Sequence, residues 1–283
     1  MKKLKISVSL VSLLGVLSLA VAGVAPQVLT TEVKADPGAA LLMRVAHQQL
    51  TIEEIVPVSK TLTAYVVAPS STAASSQKMI VFVADDQYII AGNVLNAEGK
   101  SLTSELTTEY ITRATAKMAY REASSTTWFV EGSDAAPHKT YIVIDPNCIF
   151  CHMIYQEIEP MIAAKQLQVR WIPVGFLKPD SMGKAVALLT AKDPVQALRQ
   201  DEASFNTQTE EGGLTPVADD AKNPAVAEAY VKAGLNTQFF SKNGFQGTPT
   251  LLYMGANGEP NFYPGYAKGP QLQALVNTMA HKF

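Results

Sequence analysis

The only two cysteines among 283 residues lie three positions apart, directly after a short apolar segment. Residues 141–144 predict a strand, and Asp145-Pro146 predicts a turn before Cys148-Ile149-Phe150-Cys151. Thiols at this spacing can form a disulfide within one helical turn. Because no third cysteine exists, the pair cannot belong to a larger disulfide framework. The pattern therefore predicts a dithiol at a strand-to-helix junction, which is the layout of a thiol–disulfide exchange site.

Helix geometry gives the two thiols different roles. At the first turn of a helix, unpaired backbone N–H groups and the helix dipole stabilise a thiolate, so Cys148 is predicted to be the nucleophile. Cys151 shares its helix face with Ile154, Ile158 and Met161, which should pack against a sheet. A buried thiol suits the resolving step, in which Cys151 attacks the mixed disulfide and releases the partner.

The second half of the chain alternates strand and helix patterns. Residues 148–165, 184–192, 224–235 and 271–282 predict helices, and residues 169–174 and 250–254 predict strands. Residues 251–263 form a hairpin pattern around the turn at 255–258, and the polar segment 201–220 is interpreted as a loop. Pro160 is expected to kink or interrupt its helix. This order predicts an α/β fold with a helical insertion.

The first half of the chain predicts a smaller α+β unit. Residues 37–50 have helical spacing, and residues 61–68, 79–84 and 88–91 predict strands of an antiparallel sheet, with a loop at 69–76. Residues 101–122 contain neither Gly nor Pro and predict a long helix between two domains.

The N-terminus has the composition of an export signal. A basic start precedes the uncharged residues 6–25, and small side chains favour cleavage after Ala22, although an uncleaved anchor is the alternative. Removing residues 1–22 takes away three lysines and no acid, so the net charge moves from −2 to about −5. An acidic body argues against nucleic-acid partners, and export leads to a compartment where disulfides persist.

A second motif, Gly247-Thr248-Pro249, comes immediately before the strand pattern at 250–254. Proline is tolerated at a strand entrance because no ladder hydrogen bond is lost there. If the Thr248–Pro249 bond is cis, the backbone groups of Thr248 are left to pair with an extended substrate segment beside the cysteines.

Together these motifs resemble the DsbC/DsbG family of exported protein disulfide isomerases, and its DsbG branch in particular, which also has a single cysteine pair. The resemblance is weak before residue 85 and strong after residue 128. The matching segments are 92–99, 128–132, 145–160, 174–179, 191–194 and 248–254.

The resemblance implies both an architecture and a set of partners. The architecture is a signal peptide (1–22), an α+β cystatin-like N-terminal dimerisation domain (23–100), a linker helix (101–124) and an α/β thioredoxin-like catalytic domain with a helical insertion (125–283). The partners are a second copy in a V-shaped homodimer, misoxidised exported proteins as substrates, and a DsbD-type membrane reductase in the periplasm. The resemblance implies no cofactor and no metal.

The resemblance also implies roles for particular residues. Cys148 is the nucleophile, Cys151 resolves, and Thr248-Pro249 is the cis-proline platform that holds substrate. Ile149-Phe150 stands where the family has Pro-Tyr or Gly-Tyr, beside the substrate, and sets the surroundings of the thiolate. This departure leaves the redox potential and the strength of isomerase activity open.

Other functions remain open at the level of sequence. The protein could be a disulfide-donating oxidase, or a non-catalytic dimeric chaperone in which the cysteines are incidental. Cys148 to His152 also spells C-x-x-C-H, the attachment motif of c-type haem, with His152 as iron ligand. A zinc site would need two further ligands, and the histidines show no ligand spacing. Outside the haem hypothesis, His152 is expected to be a solvated side chain.

Overall fold

The computed structural model describes residues 36–70 and 78–283. The predicted signal peptide and most of the predicted loop at 69–76 lie outside the described residues. No helix in the described part of the chain is long and apolar enough to cross a membrane.

The N-terminal unit is a four-stranded antiparallel sheet with a helix on one face. Helix α1 (Pro37–Val45) precedes strands β1 (Leu50–Pro57), β2 (Leu62–Pro69), β3 (Met79–Ala84) and β4 (Tyr88–Ile90), which follow one another in this order across the sheet. Asp36 caps α1 by accepting a hydrogen bond from the Ala39 N–H at 2.7 Å. Leu41 and Leu42 of α1 pack against Tyr65 and Val81 of the sheet.

Strand β1 was not predicted, and the predicted helix at 37–50 ends earlier, at Val45. The register of β1 against β2 shifts between Ile52 and Glu54, which marks a bulge. A bulge breaks the alternation of apolar and polar side chains, so the strand lacks the period of two from which it could have been recognised.

The predicted long helix is present as three consecutive segments. They are α2 (Leu102–Leu106), a π-helical segment (Thr107–Thr112) and α3 (Arg113–Ala123). Leu102, Leu106 and Tyr110 pack on the face of the first sheet opposite to α1. Ala119 and Ala123 of α3 are instead buried against the second sheet. Since a π turn holds more residues than an α turn, it re-aims the apolar stripe between these two surfaces.

The C-terminal unit is a five-stranded mixed sheet. Its strands are β5 (Phe129–Glu131), β6 (His138–Ile144), β7 (Leu167–Pro173), β8 (Thr250–Met254) and β9 (Pro260–Pro264). They lie in the order β5-β7-β6-β8-β9. Strands β6 and β7 are parallel, and the other three pairs are antiparallel.

Helices cover both faces of this sheet and bury two cores. On one face α4 (Ile149–Ala163) and α8 (Gly269–Asn277) pack against β6 and β7, with Ile154, Ile158 and Leu272 fully buried. On the other face α3 and α7 (Pro224–Lys242) cover Val143 and Ile172. Helix α4 continues through Pro160 to Ala163, so of the two predicted effects of Pro160, a kink or an interruption, the interruption was wrong.

The helical insertion contains one helix more than the sequence predicted. Helices α5 (Ser181–Thr190) and α6 (Pro194–Ala203) precede α7. Asp193 caps α6 and Pro194 occupies its first turn, which is a helix start signal, although no helix was predicted here. The predicted loop at 201–220 is therefore wrong at its beginning, because Asp201 and Glu202 are helical and buried.

Candidate active site

The two cysteines occupy the start of α4, where the chain leaves the central strand β6. Cys148 is the N-cap residue, with extended backbone angles, and its sulfur accepts a hydrogen bond from the Cys151 N–H at 3.3 Å. Both cysteines are free thiols, with 4% and 2% of their surfaces exposed. The N-cap position gives Cys148 the backbone donors that an anionic sulfur needs.

The two thiols have opposite acidities. A hydrogen bond from the Cys151 thiol lowers the pKa of Cys148 to about 7, although burial acts in the opposite direction. Complete burial, together with the neighbouring Cys148 sulfur, raises the pKa of Cys151 well above its ordinary value. Near neutral pH the first sulfur can therefore carry negative charge while the second keeps its proton.

The Gly247-Thr248-Pro249 motif lies directly beside Cys148. The Thr248–Pro249 peptide bond is cis, and the Cys148 thiol donates a hydrogen bond to the Thr248 carbonyl at 3.1 Å. Thr248 and Pro249 are both buried at the entrance to β8. The fold thus brings together two motifs that are separated by a hundred residues in the chain.

The side chains between and around the cysteines form an apolar rim. Phe150 is 52% exposed and Ile149 is half-buried. Phe176 and Leu177, which follow β7, are also exposed. The ring of Phe176 stacks on that of Phe240 from α7, with centroids 4.8 Å apart. Phe176 and Leu177 belong to the matching segment 174–179, for which the sequence predicted no role, and Phe240 was not predicted.

Asp145 connects this rim to the turn that precedes Cys148. Its carboxylate accepts hydrogen bonds from the N–H groups of Phe176 and Leu177 at 2.9 and 3.0 Å, and from the hydroxyl of Ser181 at 2.7 Å. Asp145 is fully buried. One side chain therefore fixes the position of the β7 exit, the start of α5 and the active-site turn relative to one another.

A buried lysine attaches the helical insertion to the same turn. Lys184 of α5 donates to the Asn147 side-chain oxygen at 2.8 Å and to the Gly212 carbonyl at 2.9 Å. It also forms an ion pair with Asp180 at 2.9 Å, which lowers the pKa of that carboxyl. No sequence motif identified Lys184, because its partners come from three separate segments.

His152 is buried, so the prediction of a solvated side chain was wrong. Its Nδ1 lies 2.8 Å from Glu202 Oε2, and its Nε2 lies 2.9 Å from Gln156 Nε2. Its ring stacks on Phe205, with centroids 4.4 Å apart and an interplanar angle of 11°. Since both ring nitrogens are engaged, His152 does not fit the haem-ligand hypothesis. Within residues 36–70 and 78–283, no group of three or more His, Cys, Asp or Glu side chains is arranged to hold a metal ion.

A second buried glutamate braces α6 against the sheet. Glu131 of β5 accepts two hydrogen bonds from Arg199, at 3.1 and 3.0 Å, and one from the indole of Trp171 at 3.0 Å. The neighbouring Tyr155 has a raised pKa because it is buried and lies close to Glu131. The charges of Glu131 and Arg199 are thus paired with each other. Glu202, which lies on α6 with Arg199, is therefore a separate acidic group.

A dithiol at the N-cap of a helix, on a mixed sheet of this order and beside a cis-proline, defines a thioredoxin-like thiol:disulfide oxidoreductase. Comparison with known proteins supports this class. The sequence model of the thioredoxin-like domain family matches residues 134–280. DsbG of Pseudomonas aeruginosa is 30% identical over 202 residues, which cover 71% of this chain and 75% of that protein. The chain belongs to the DsbC/DsbG family of thiol:disulfide interchange proteins, as its motifs indicated.

Two further proteins are similar to this chain. DsbG of Escherichia coli is 30% identical over 125 residues, which cover 44% of this chain and 50% of that protein. The solved structure of Helicobacter pylori DsbG is 18% identical, covers 76% of this chain and 98% of its own, and has a TM-score of 0.37.

Proposed function

We propose that this protein is exported to the periplasm, where it reduces and isomerises wrong disulfides in other exported proteins, with Cys148 as nucleophile and Cys151 as resolving thiol. One observation carries the proposal: the acidic Cys148 sulfur is held at a helix N-cap, while the less acidic Cys151 thiol lies one turn behind it. A thiol with a pKa near the ambient pH is the most effective attacking group in disulfide exchange.

The reaction proceeds in two exchanges. The Cys148 thiolate attacks one sulfur of a substrate disulfide; the substrate S–S bond breaks, and the second substrate sulfur leaves as a thiolate. In the reductive route Cys151 loses its proton and attacks the Cys148 sulfur, so that the Cys148–Cys151 disulfide forms and the substrate is released reduced. In the isomerising route a thiolate of the substrate attacks the mixed disulfide instead and returns Cys148 to its reduced form.

Substrate is held by backbone hydrogen bonds and by the apolar rim. The Thr248 carbonyl accepts a hydrogen bond from the Cys148 thiol. Once that proton is lost, the carbonyl is free to accept an N–H from an extended substrate segment. The exposed Phe150, with Ile149 beside it, offers apolar contact to the unfolded segments that surround wrong disulfides.

The remaining assignments follow from the family. Residues 23–100 form a cystatin-like dimerisation domain, and two copies joined there present their dithiols to a shared cleft that also retains unfolded chains. Apolar side chains on the second half of the first sheet support this: Met79, Tyr88 and Ile90 are 48%, 63% and 38% exposed. A DsbD-type membrane reductase returns Cys148–Cys151 to the dithiol after each reductive cycle.

The test is the redox equilibrium of the dithiol against glutathione, measured by thiol trapping and mass, with Cys148→Ser and Cys151→Ser variants. We expect a reversible two-electron couple in the wild type. The Cys151→Ser variant should accumulate a mixed disulfide with substrate, whereas Cys148→Ser should accumulate none. A strongly oxidising couple would instead favour a disulfide-donating oxidase. A Cys148→Ser protein that retains full cellular function would favour the non-catalytic chaperone.

A further inference from the structure

The feature that the proposed function leaves unused is the buried contact between His152 on α4 and Glu202 on α6. The two side chains are 8% and 9% exposed, and they meet at 2.8 Å. Among the described residues, His152 is the single hydrogen-bond partner of the Glu202 carboxylate. A buried acidic side chain with one titratable partner is costly unless a proton is shared between them.

This pair lies on the same side of the helix as the nucleophile. The backbone N–H of His152 donates to the backbone carbonyl of Cys148 at 3.0 Å. The two residues are therefore one helical turn apart, and their side chains are neighbours on the same face of the helix. Gln156 continues the same column one turn further, and its amide nitrogen lies 2.9 Å from His152 Nε2. The column Cys148–His152–Gln156 thus runs along α4 beneath α6.

We propose that Glu202 and His152 together hold one exchangeable proton that sets the charge beside the Cys148 sulfur, and thereby limit how strongly the dithiol oxidises its partners. The inference rests on the proposed role of Cys148 as nucleophile. The step involves no co-reactant. The Cys148 S–H proton passes to the anionic pair, which becomes either a carboxylic acid beside neutral imidazole or a carboxylate beside imidazolium.

The surroundings of Glu202 make its charge matter. Burial raises the pKa of Glu202 well above its ordinary value, and the negative charges of Asp201, Cys148 and Glu131 act in the same direction. The cations packed nearby are already paired, because Arg199 binds Glu131 and Lys184 binds Asp180. Burial also lowers the pKa of His152.

The pair also has a route for protons to reach solvent. A shallow cleft between α4 and α6 is lined by Glu202, Gln156, Tyr155, Arg199, Glu159 and Ala203. Gln156 and Glu202, which both contact the His152 ring, line this cleft, and Thr248 is not among the residues that line it. Protons can therefore enter and leave the pair while substrate occupies the platform side of Cys148.

The redox consequence has a definite sign. When the pair and Cys148 are both ionised, their negative charges repel each other. This repulsion destabilises the reduced protein relative to its disulfide and makes the dithiol a weaker oxidant. Since two acids compete in one site, the thiolate of the wild type should appear over a broad, two-step titration. Removing the acid at Glu202 should leave a single step that is complete at lower pH.

The experiment follows thiolate absorbance near 240 nm with pH in the reduced wild type and in Glu202→Gln, which is close in shape and keeps an oxygen for His152. Glu159→Gln is the matched control, since Glu159 lines the same cleft and, among the described residues, forms neither a hydrogen bond nor an ion pair with His152. We expect Glu202→Gln to complete its titration at about tenfold higher proton concentration. Its equilibrium with glutathione should shift toward oxidising by about tenfold, or about 30 mV. The control should match the wild type.

The alternative outcomes are distinct. A thiolate titration that is unchanged in Glu202→Gln, or changed equally in Glu159→Gln, would overturn the inference even if the dithiol still equilibrates with glutathione. If the wild-type dithiol does not equilibrate with glutathione at all, the proposed function is overturned instead.

If Glu202→Gln does not fold, the same coupling is measured from the side of His152. In Cys148→Ser the NMR signal of His152 should titrate in one step at lower pH than in the wild type, because coupling between two sites acts equally in both directions. An unchanged His152 titration would contradict the inference.

Discussion

Position at the start of a helix makes Cys148 and Cys151 chemically different, although both are almost completely buried. Cys148 stands at the cap and accepts hydrogen bonds, whereas Cys151 lies inside the first turn, in the core formed with Ile154 and Ile158. Burial alone would raise the pKa of both thiols. Donors at the cap reverse this effect for the first thiol only.

Replacing Cys151 with alanine should raise the pKa of Cys148 above about 7, because the S–H donor is removed. A hydrogen bond to a charged group contributes about 1.5–3 kcal/mol, so alkylation of Cys148 by iodoacetamide at pH 7 should slow by roughly tenfold or more. In the wild type the rate should rise as pH increases through about 7. Cys151→Ser is the control: its hydroxyl keeps a donor and should hold the rate within roughly threefold. Equal rates in the two variants would contradict this account.

Asp201 gives a pH dependence of stability. Burial raises its pKa from 3.8 to about 6, and its Oδ2 is buried without a partner in the described structure. The folded state therefore binds more protons than the unfolded state between these values, and stability falls as pH rises from about 4 to about 6.

Asp201→Asn should remove this loss of folding stability, which is on the order of 3 kcal/mol at neutral pH. The side-chain oxygen of asparagine can still accept the hydrogen bond from the Leu214 N–H. The measurement is urea unfolding at pH 4 and pH 7. A difference between the two pH values that is the same in wild type and variant would exclude this role for Asp201.

At the level of elements, polar contacts connect the helical insertion (α5 to α7) to the turn before Cys148, and close packing holds the segments of the insertion against one another. Lys184 and Asp145 supply the polar contacts. Helix α5 packs against the segment that leads into α7, and a Cβ on Gly183 would lie 2.8 Å from both Pro216 Cβ and the Val217 carbonyl oxygen. Helix α7 also contains a glycine, Gly234, where a Cβ would meet nothing within 4 Å.

The same substitution in these two helices should have opposite effects. Gly183→Ala should destabilise the protein by about 1–3 kcal/mol, because the methyl group meets backbone that cannot move aside. Gly234→Ala should stabilise it by about 0.5–1 kcal/mol, since alanine favours the helix and has room. Chemical denaturation of the two variants in parallel makes the comparison. A similar sign for both would show that α5 is not packed as described.

At the scale of the whole molecule, one long helix contacts both sheets. Its first half packs on the N-terminal sheet through Leu102 and Leu106, and its second half packs on the C-terminal sheet through Ala119 and Ala123. Met79, Tyr88 and Ile90 on β3 and β4 are exposed apolar side chains of the first unit, and Phe150, Phe176 and Leu177 near the dithiol are exposed apolar side chains of the second. This separation suits a protein that dimerises through one unit and binds substrate with the other.

The double variant Tyr88→Glu with Ile90→Glu tests the proposed dimer. Light scattering should give twice the mass of one chain for the wild type and a single-chain mass for the variant, because four charges would face one another across the interface. The glutathione equilibrium of Cys148–Cys151 should not change. A wild type that is already monomeric would contradict the dimer. A variant that remains dimeric would place the interface elsewhere.

The sequence determined the strand-to-helix junction with its two thiols, the Thr248-Pro249 motif, and the strands and helices after residue 125 with the exception of β5 and α6. Each of these is written in a local pattern of spacing, turn residues or periodicity. Strand β1 was not predicted because its bulge interrupts the alternation of apolar and polar side chains. Helix α6 was not predicted because its sequence is polar, although Asp193 caps it.

The surroundings of the dithiol depend on how distant segments pack together. His152 and Glu202 are 50 residues apart, and Cys148 and Thr248 are 100 residues apart. Whether a histidine is solvated or buried, and which acid lies beside it, depends on how α6 packs against α4. Local sequence fixes which face of a helix is apolar, but the partner of a buried polar group is fixed only when distant segments meet. The acidity of Cys148 therefore has two sources: donors in the first turn of α4, which the local sequence supplies, and Thr248, which only the tertiary fold brings close.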